Sequence, residues 1–154
     1  MTSRPLTPGE VALARLVFGD AIAYDQVRAH NRKWWPFQPA RVTMSPDGDI
    51  WFNPKSGLFC NDFCGQALSL QGHFIHEMTH VWQAQRGGRW YLPLMRHPFC
   101  RYGYDIVPGR PFERYGLEQQ AEIVRHAFLM RSGAHVDGKP PLAVYEELIP
   151  FTRA

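Results

Sequence analysis

The feature that most constrains this chain is the run His76-Glu77-Met78-Thr79-His80, set inside a long helical pattern. The pattern predicts a helix from about Gln66 to Arg86, and Gly87-Gly88 supplies its stop. At about 100° per residue, His76 and His80 fall about 40° apart around that helix and one turn apart along it. Two imidazoles so placed can reach one ion at about 2.0–2.1 Å, a zinc–nitrogen bond length. Glu77 is rotated too far from both to join them as a ligand. It is near enough to act as a base on a water beside the ion. The flanks Phe74, Ile75, Val81 and Trp82 are uncharged and apolar. Such a frame spares the site the desolvation of stray charges. His73, on the preceding turn, reads as a structural residue or a support for the ligands.

A zinc site with two histidines needs a third protein ligand. The best stretch is Tyr115-Gly116-Leu117-Glu118-Gln119-Gln120-Ala121-Glu122, on a helix expected over about Glu113–Arg131 and ending near Ser132-Gly133. Glu118 and Glu122 share a face, where two bare carboxylates would repel by about a few tenths of a kcal/mol. A metal on one and a histidine hydrogen-bonded to the other removes that repulsion. The competing reading is a solvated acidic face with Arg114 and Arg125 as neighbours. His126 continues the stripe as a supporting residue, an alternative ligand or a hydrogen-bond donor.

The rest of the chain supplies a scaffold for these helices. Thr7-Pro8-Gly9-Glu10 combines a cap, a first-turn proline and a capping-box glutamate, and so starts a short amphipathic helix. Residues 31–40, with Trp34-Trp35-Pro36-Phe37-Gln38-Pro39, cannot be regular helix and read as an ordered aromatic loop. Arg41–Met44 and Ile50–Phe52 read as short strands around a turn at Ser45-Pro46-Asp47-Gly48-Asp49. Residues 89–111, with Trp90, Tyr91, Tyr102 and Tyr104, form a long loop that is either a cleft wall or a packed aromatic segment. A tail helix is expected near Leu142–Leu148. With 154 residues and no internal repeat, one α+β domain over 1–154 is the economical architecture.

A net charge of +3, with Arg and Lys scattered, does not by itself imply nucleic acid. Lys33, Trp34 and Trp35 lack any accompanying nucleic-acid motif. No apolar signal core opens the chain and no run of about 18 apolar residues exists, so no membrane span is expected. The expected location is the cytoplasm, with signal-independent export left open. Cys60, Cys64 and Cys100 read as reduced thiols. A second metal site from them and His97 lacks the usual paired spacing.

His76-Glu77-Met78-Thr79-His80 followed by Glu118-Gln-Gln-Ala-Glu122 resembles the gluzincin pattern. A wider stretch, from Val27-Arg28-Ala29-His30 through Met44–Phe52 to His76–Gln85, looks like the bacterial zincin-like metallopeptidases known as Vgr-related proteins. The resemblance spans about residues 7–130 and implies a zincin-like fold and peptide hydrolysis. It also implies Glu118 as third ligand and Glu122 in support. Glu122 stands where Asp is commoner, which lengthens the supporting arm.

The expected protein is therefore a hydrolase with one zinc ion per chain, held by His76, His80 and Glu118. Glu77 is its base, Tyr115 a donor to the reacting oxyanion (with Tyr104 and His126 as rivals), and Glu122 and His126 support the ligands. A peptide or protein is the expected substrate, with no nucleic acid or membrane partner, and the sequence fixes no oligomeric state. The alternative is a zinc-stabilised binding module without turnover.

Overall fold

The structure, a computed structural model, describes residues 3–88 and 101–152. The described residues form an α+β fold of four α-helices and one small mixed sheet. Strands β1 (Ser3–Pro5), β2 (Arg28–His30), β3 (Thr43–Met44) and β4 (Ile50–Phe52) lie in the order β1-β2-β4-β3. The expected hairpin is present, with Thr43 opposite Phe52 and Met44 opposite Trp51, but its first strand is shorter than the sequence suggested. β2 runs parallel to β4 and antiparallel to β1. Neither β1 nor β2 was anticipated. Each is three residues long and is defined by partners far away in sequence.

Helix α1 (Pro8–Phe18) starts as its capping residues dictate. Thr7 Oγ1 accepts from Glu10 N at 3.0 Å, and Glu10 Oε2 accepts from Thr7 N at 2.9 Å. Helix α2 (Leu68–Gly87) follows a 3-10 turn at Phe63–Gly65, which displaces its start slightly from the expected position. It ends where Gly88 takes φ 85°, a conformation a side chain would resist. Helix α3 (Leu117–Arg131) is also shorter than expected, because Phe112–Arg114 form a separate 3-10 turn and Tyr115 and Gly116 are extended. Helix α4 (Leu142–Leu148) matches expectation.

β4 is buried along its whole length, so Ile50, Trp51 and Phe52 all serve the core. Phe52 stacks on Phe63 with centroids 5.4 Å apart, and Phe63 stacks on Phe74 of α2 at 5.3 Å. This aromatic ladder fixes α2 against the sheet. Truncating Phe63, which is fully buried, would cost about 3–5 kcal/mol. The opposite side of α2 packs on α3. The two helices approach closely at Gly72, where an added Cβ would stand 3.1 Å from Leu129 Cδ2. One flank of α2 is therefore apolar and stacked, and the other carries the polar residues next described.

Cys60 and Cys64 are free thiols. Trp90, Tyr91, His97 and Cys100 lie outside the described residues. No helix among the described residues is long and apolar enough to cross a membrane.

Candidate metal centre

His76, Glu77 and His80 are buried on α2, and Glu118 is buried on the first turn of α3. Ligand atoms of His76, His80 and Glu118 all lie within 4.8 Å of one another. The Glu118 carboxylate stands between the two rings, with Oε2 3.2 Å from His76 Nε2 and Oε1 3.1 Å from His80 Nε2. Both imidazoles thus turn the same nitrogen toward one carboxylate.

Their other nitrogens are engaged differently. His76 Nδ1 is 3.2 Å from Glu122 Oε2, and Arg125 NH1 holds the same carboxylate at 3.2 Å. Burial opposes a charge on His76, but the hydrogen bonds to Glu118 and Glu122 prevail and raise its pKa to about 9. Burial likewise works to raise the Glu122 pKa, and the contact with His76 outweighs it, leaving Glu122 at about 2. His80 Nδ1 instead meets the carboxamide oxygen of Gln83 at 2.8 Å. That oxygen can only accept, so Nδ1 carries a proton, and in the neutral form of the ring Nε2 is then bare. His80 Nε2 is buried and makes no hydrogen bond, despite its closeness to Glu118.

A bare imidazole nitrogen held against a carboxylate oxygen places two electron-rich atoms together in a buried space. That is unfavourable without a cation between them. The donor set of two imidazoles and one carboxylate suits zinc and related divalent ions. The residues therefore fit the ion that the motif implies.

Glu77 lies beside the cluster and is 4% exposed. Ser45 Oγ donates to Glu77 Oε2 at 2.7 Å and holds the carboxylate. The cluster opens on a cleft of about 190 Å³, whose wall includes Thr43, His73, Tyr102 and Arg125. Tyr102 stacks on His76, with centroids 6.1 Å apart and planes 17° apart. Burial lowers the His73 pKa, and its Nε2 is paired with Thr43 Oγ1 at 2.8 Å.

The structure brings His76, Glu77, His80, Glu118 and Glu122 together around one cleft or its floor. It does not bring Tyr115 to the cleft. Tyr115 is buried, and its hydroxyl accepts from Val107 N at 3.0 Å. His126 sits one turn beyond Glu122, where Tyr104 Oη is 2.6 Å from both His126 Nδ1 and Tyr145 Oη. Tyr104 is accordingly a packed residue, while Tyr102 forms cleft wall. Sequence reasoning missed Ser45, Gln83 and Gln120. Gln83 carried a usable signal, standing three residues after His80 on the same helix face.

Fold and site together define an α+β domain bearing a two-histidine, one-carboxylate cluster able to hold a metal ion. The chain belongs to the family of the VgrG2b effector domain. It is 37% identical to the solved effector domain of Pseudomonas aeruginosa VgrG2b, with a TM-score of 0.74, covering 84% of this chain and 75% of that one. It is also 38% identical over 135 residues to the type VI secretion system spike protein VgrG2b of Pseudomonas aeruginosa strain PAO1. That match takes in 84% of this chain but spans only 13% of the spike protein's length. No protein-family model matches the sequence.

Proposed function

We propose that this chain is a zinc-dependent hydrolase of the zincin type, a metallopeptidase that cuts peptide bonds in a peptide or protein target. The observation that carries this reading is the convergence of His76, His80 and Glu118 ligand atoms within 4.8 Å of one another, beside the buried carboxylate of Glu77. His76, His80 and Glu118 would hold the ion. A zinc ion bound there supplies a Lewis acid that polarises a carbonyl and acidifies water.

Glu77 accepts the proton that the attacking water loses and later returns it to the leaving amine. Ser45 keeps that carboxylate in place, since its hydroxyl donates to Oε2 and limits rotation. Glu122 orients the His76 ring through Nδ1. Thr43 and Tyr102, as cleft wall, offer a polar and an aromatic surface to an extended substrate. The kinship with an effector domain supports action on a target rather than a housekeeping role.

The test is Glu77→Gln. Zinc-loaded wild type should cleave members of a mixed peptide library, and the variant should retain its zinc and lose about 100-fold or more of the rate. Wild type that holds zinc but cleaves no peptide would favour the binding module. Equal cleavage by Glu77→Gln would remove Glu77 from the chemistry.

A further inference from the structure

We propose that Gln83 is a positioning residue. It keeps His80 Nε2 bare for an ion and ties that state of the ring to the docking of the helix that carries Glu118. The proposal rests on the metal-site reading for its ligands, and on the hydrogen-bond polarity around Gln83 for its substance.

The carboxamide of Gln83 is buried and fully engaged. Its oxygen accepts from His80 Nδ1 at 2.8 Å, while its nitrogen donates to Leu117 O and to Gln120 Oε1, each at 3.0 Å. Gln120 is oriented in turn, because its own nitrogen donates to Tyr115 O at 2.9 Å. A backbone carbonyl can only accept, so the direction of donation is set at Tyr115 and passed inward. Reversing the Gln83 amide would set its N–H groups against His80 Nδ1–H and its oxygen against two acceptors. At 3% and 6% exposure, Gln83 and Gln120 have little water to repair such a reversal.

The consequence falls on His80. With Nδ1–H committed to Gln83, the neutral ring has no proton for Nε2. Without that acceptor, the proton gains by moving to Nε2, where Glu118 Oε1 waits 3.1 Å away to make a charge-assisted hydrogen bond. An incoming ion would then have to displace it. The same amide grips Leu117, the residue before Glu118, so one side chain of α2 both prepares a ligand on its own helix and holds the start of α3. His76 differs, since its Nδ1 meets the carboxylate of Glu122 and its Nε2 is hydrogen-bonded to Glu118.

Two variants separate these roles. Gln83→Met keeps the length and removes every polar contact. Gln83→Glu keeps an acceptor for His80 but sets its second oxygen against Leu117 O and Gln120 Oε1, so it loses the grip on Leu117 and some stability with it. The first readout, made on zinc-free protein, is the long-range nitrogen–proton correlation spectrum, which reports the protonated ring nitrogen of His80. The second is zinc affinity against a competing chelator.

Wild type should show the proton on Nδ1, Gln83→Met should move it to Nε2, and Gln83→Glu should return it to Nδ1. Zinc binding should weaken about 10–100-fold in Gln83→Met and be partly restored in Gln83→Glu. A zinc-free wild type with its proton on Nε2 overturns the proposal, even if Gln83→Met fails to fold. So does a Gln83→Met chain that binds zinc as tightly as wild type. A Gln83→Glu chain with its His80 proton on Nε2 would reduce Gln83 to a packing contact. A wild type that binds no zinc refutes the metal reading itself, a result distinguishable from all of these.

Discussion

Two glutamates are almost equally hidden in this molecule and are held in opposite ways. Glu10, fully buried on α1, accepts from both terminal nitrogens of Arg4 at 2.8 and 2.9 Å, and from the amides of Thr7 and Phe63 at 2.9 Å each. A permanent cation matches its charge, and four donors use its lone pairs. Glu118, at 1% exposure, lies between two imidazoles, one of which has committed its proton to Gln83. A buried carboxylate that is saturated by donors serves the fold. One that faces an imidazole nitrogen with no hydrogen bond of its own, as Glu118 faces His80 Nε2, is placed to share a cation with it. Burial alone would not have told them apart; the ownership of protons does.

The sharpest separation should come from removing each carboxylate. Glu118→Ala should strip most of the zinc, whereas Glu122→Ala should weaken binding about 10–100-fold, as loss of a supporting partner does. A chelator titration ranks them, and the reverse order would make Glu122 the ligand. Glu10→Ala should leave zinc affinity unchanged and strand Arg4, whose side chain is 11% exposed. The loss should be about 3–5 kcal/mol, which at about 2–4 °C per kcal/mol is a large fall in melting temperature. A Glu10→Ala chain that melted like wild type but lost zinc would collapse the comparison.

A smaller effect concerns pH. In the zinc-free protein His76 is raised from 6.5 to about 9, chiefly because Glu118 and Glu122 overcome the opposing effect of burial. Its proton therefore stabilises the fold fully below about 6.5, and that stability is lost as pH rises through about 9. Melting of chelated protein should fall across this window, while zinc-loaded protein should change less, because the ion replaces the proton. Parallel pH profiles with and without chelator would mean that His76 does not bind the ion.

The features legible in the sequence were those whose cause is local. His76, Glu77 and His80 are related by helical period alone, and the Thr7–Glu10 cap is complete within four residues. Glu118 and Glu122 were found as a same-face pair, although their division of labour came from a family resemblance. What stayed hidden depends on distant partners. β2 exists because Ala29 pairs with Ile50, and Ser45 matters because the hairpin turn sets it against Glu77 on α2. Tyr115, expected as a donor in the cleft, lies away from it for a related reason. It was read as part of a helix, but Gly116 starts that helix with Gln119 Oε1 on its amide, and Tyr115 before it turns toward Val107.

The central claim is that His76, His80 and Glu118 hold one divalent ion between α2 and α3. It is tested most directly by zinc-edge anomalous diffraction on crystals of chelator-free protein, with elemental analysis of the same batch. The account predicts one zinc per chain and a single anomalous peak at about 2.0–2.2 Å from His76 Nε2, His80 Nε2 and a Glu118 oxygen. It also predicts that both signals vanish in a His76→Ala, His80→Ala double variant. A full zinc complement in that variant, or a peak anywhere else in the wild type, would contradict it.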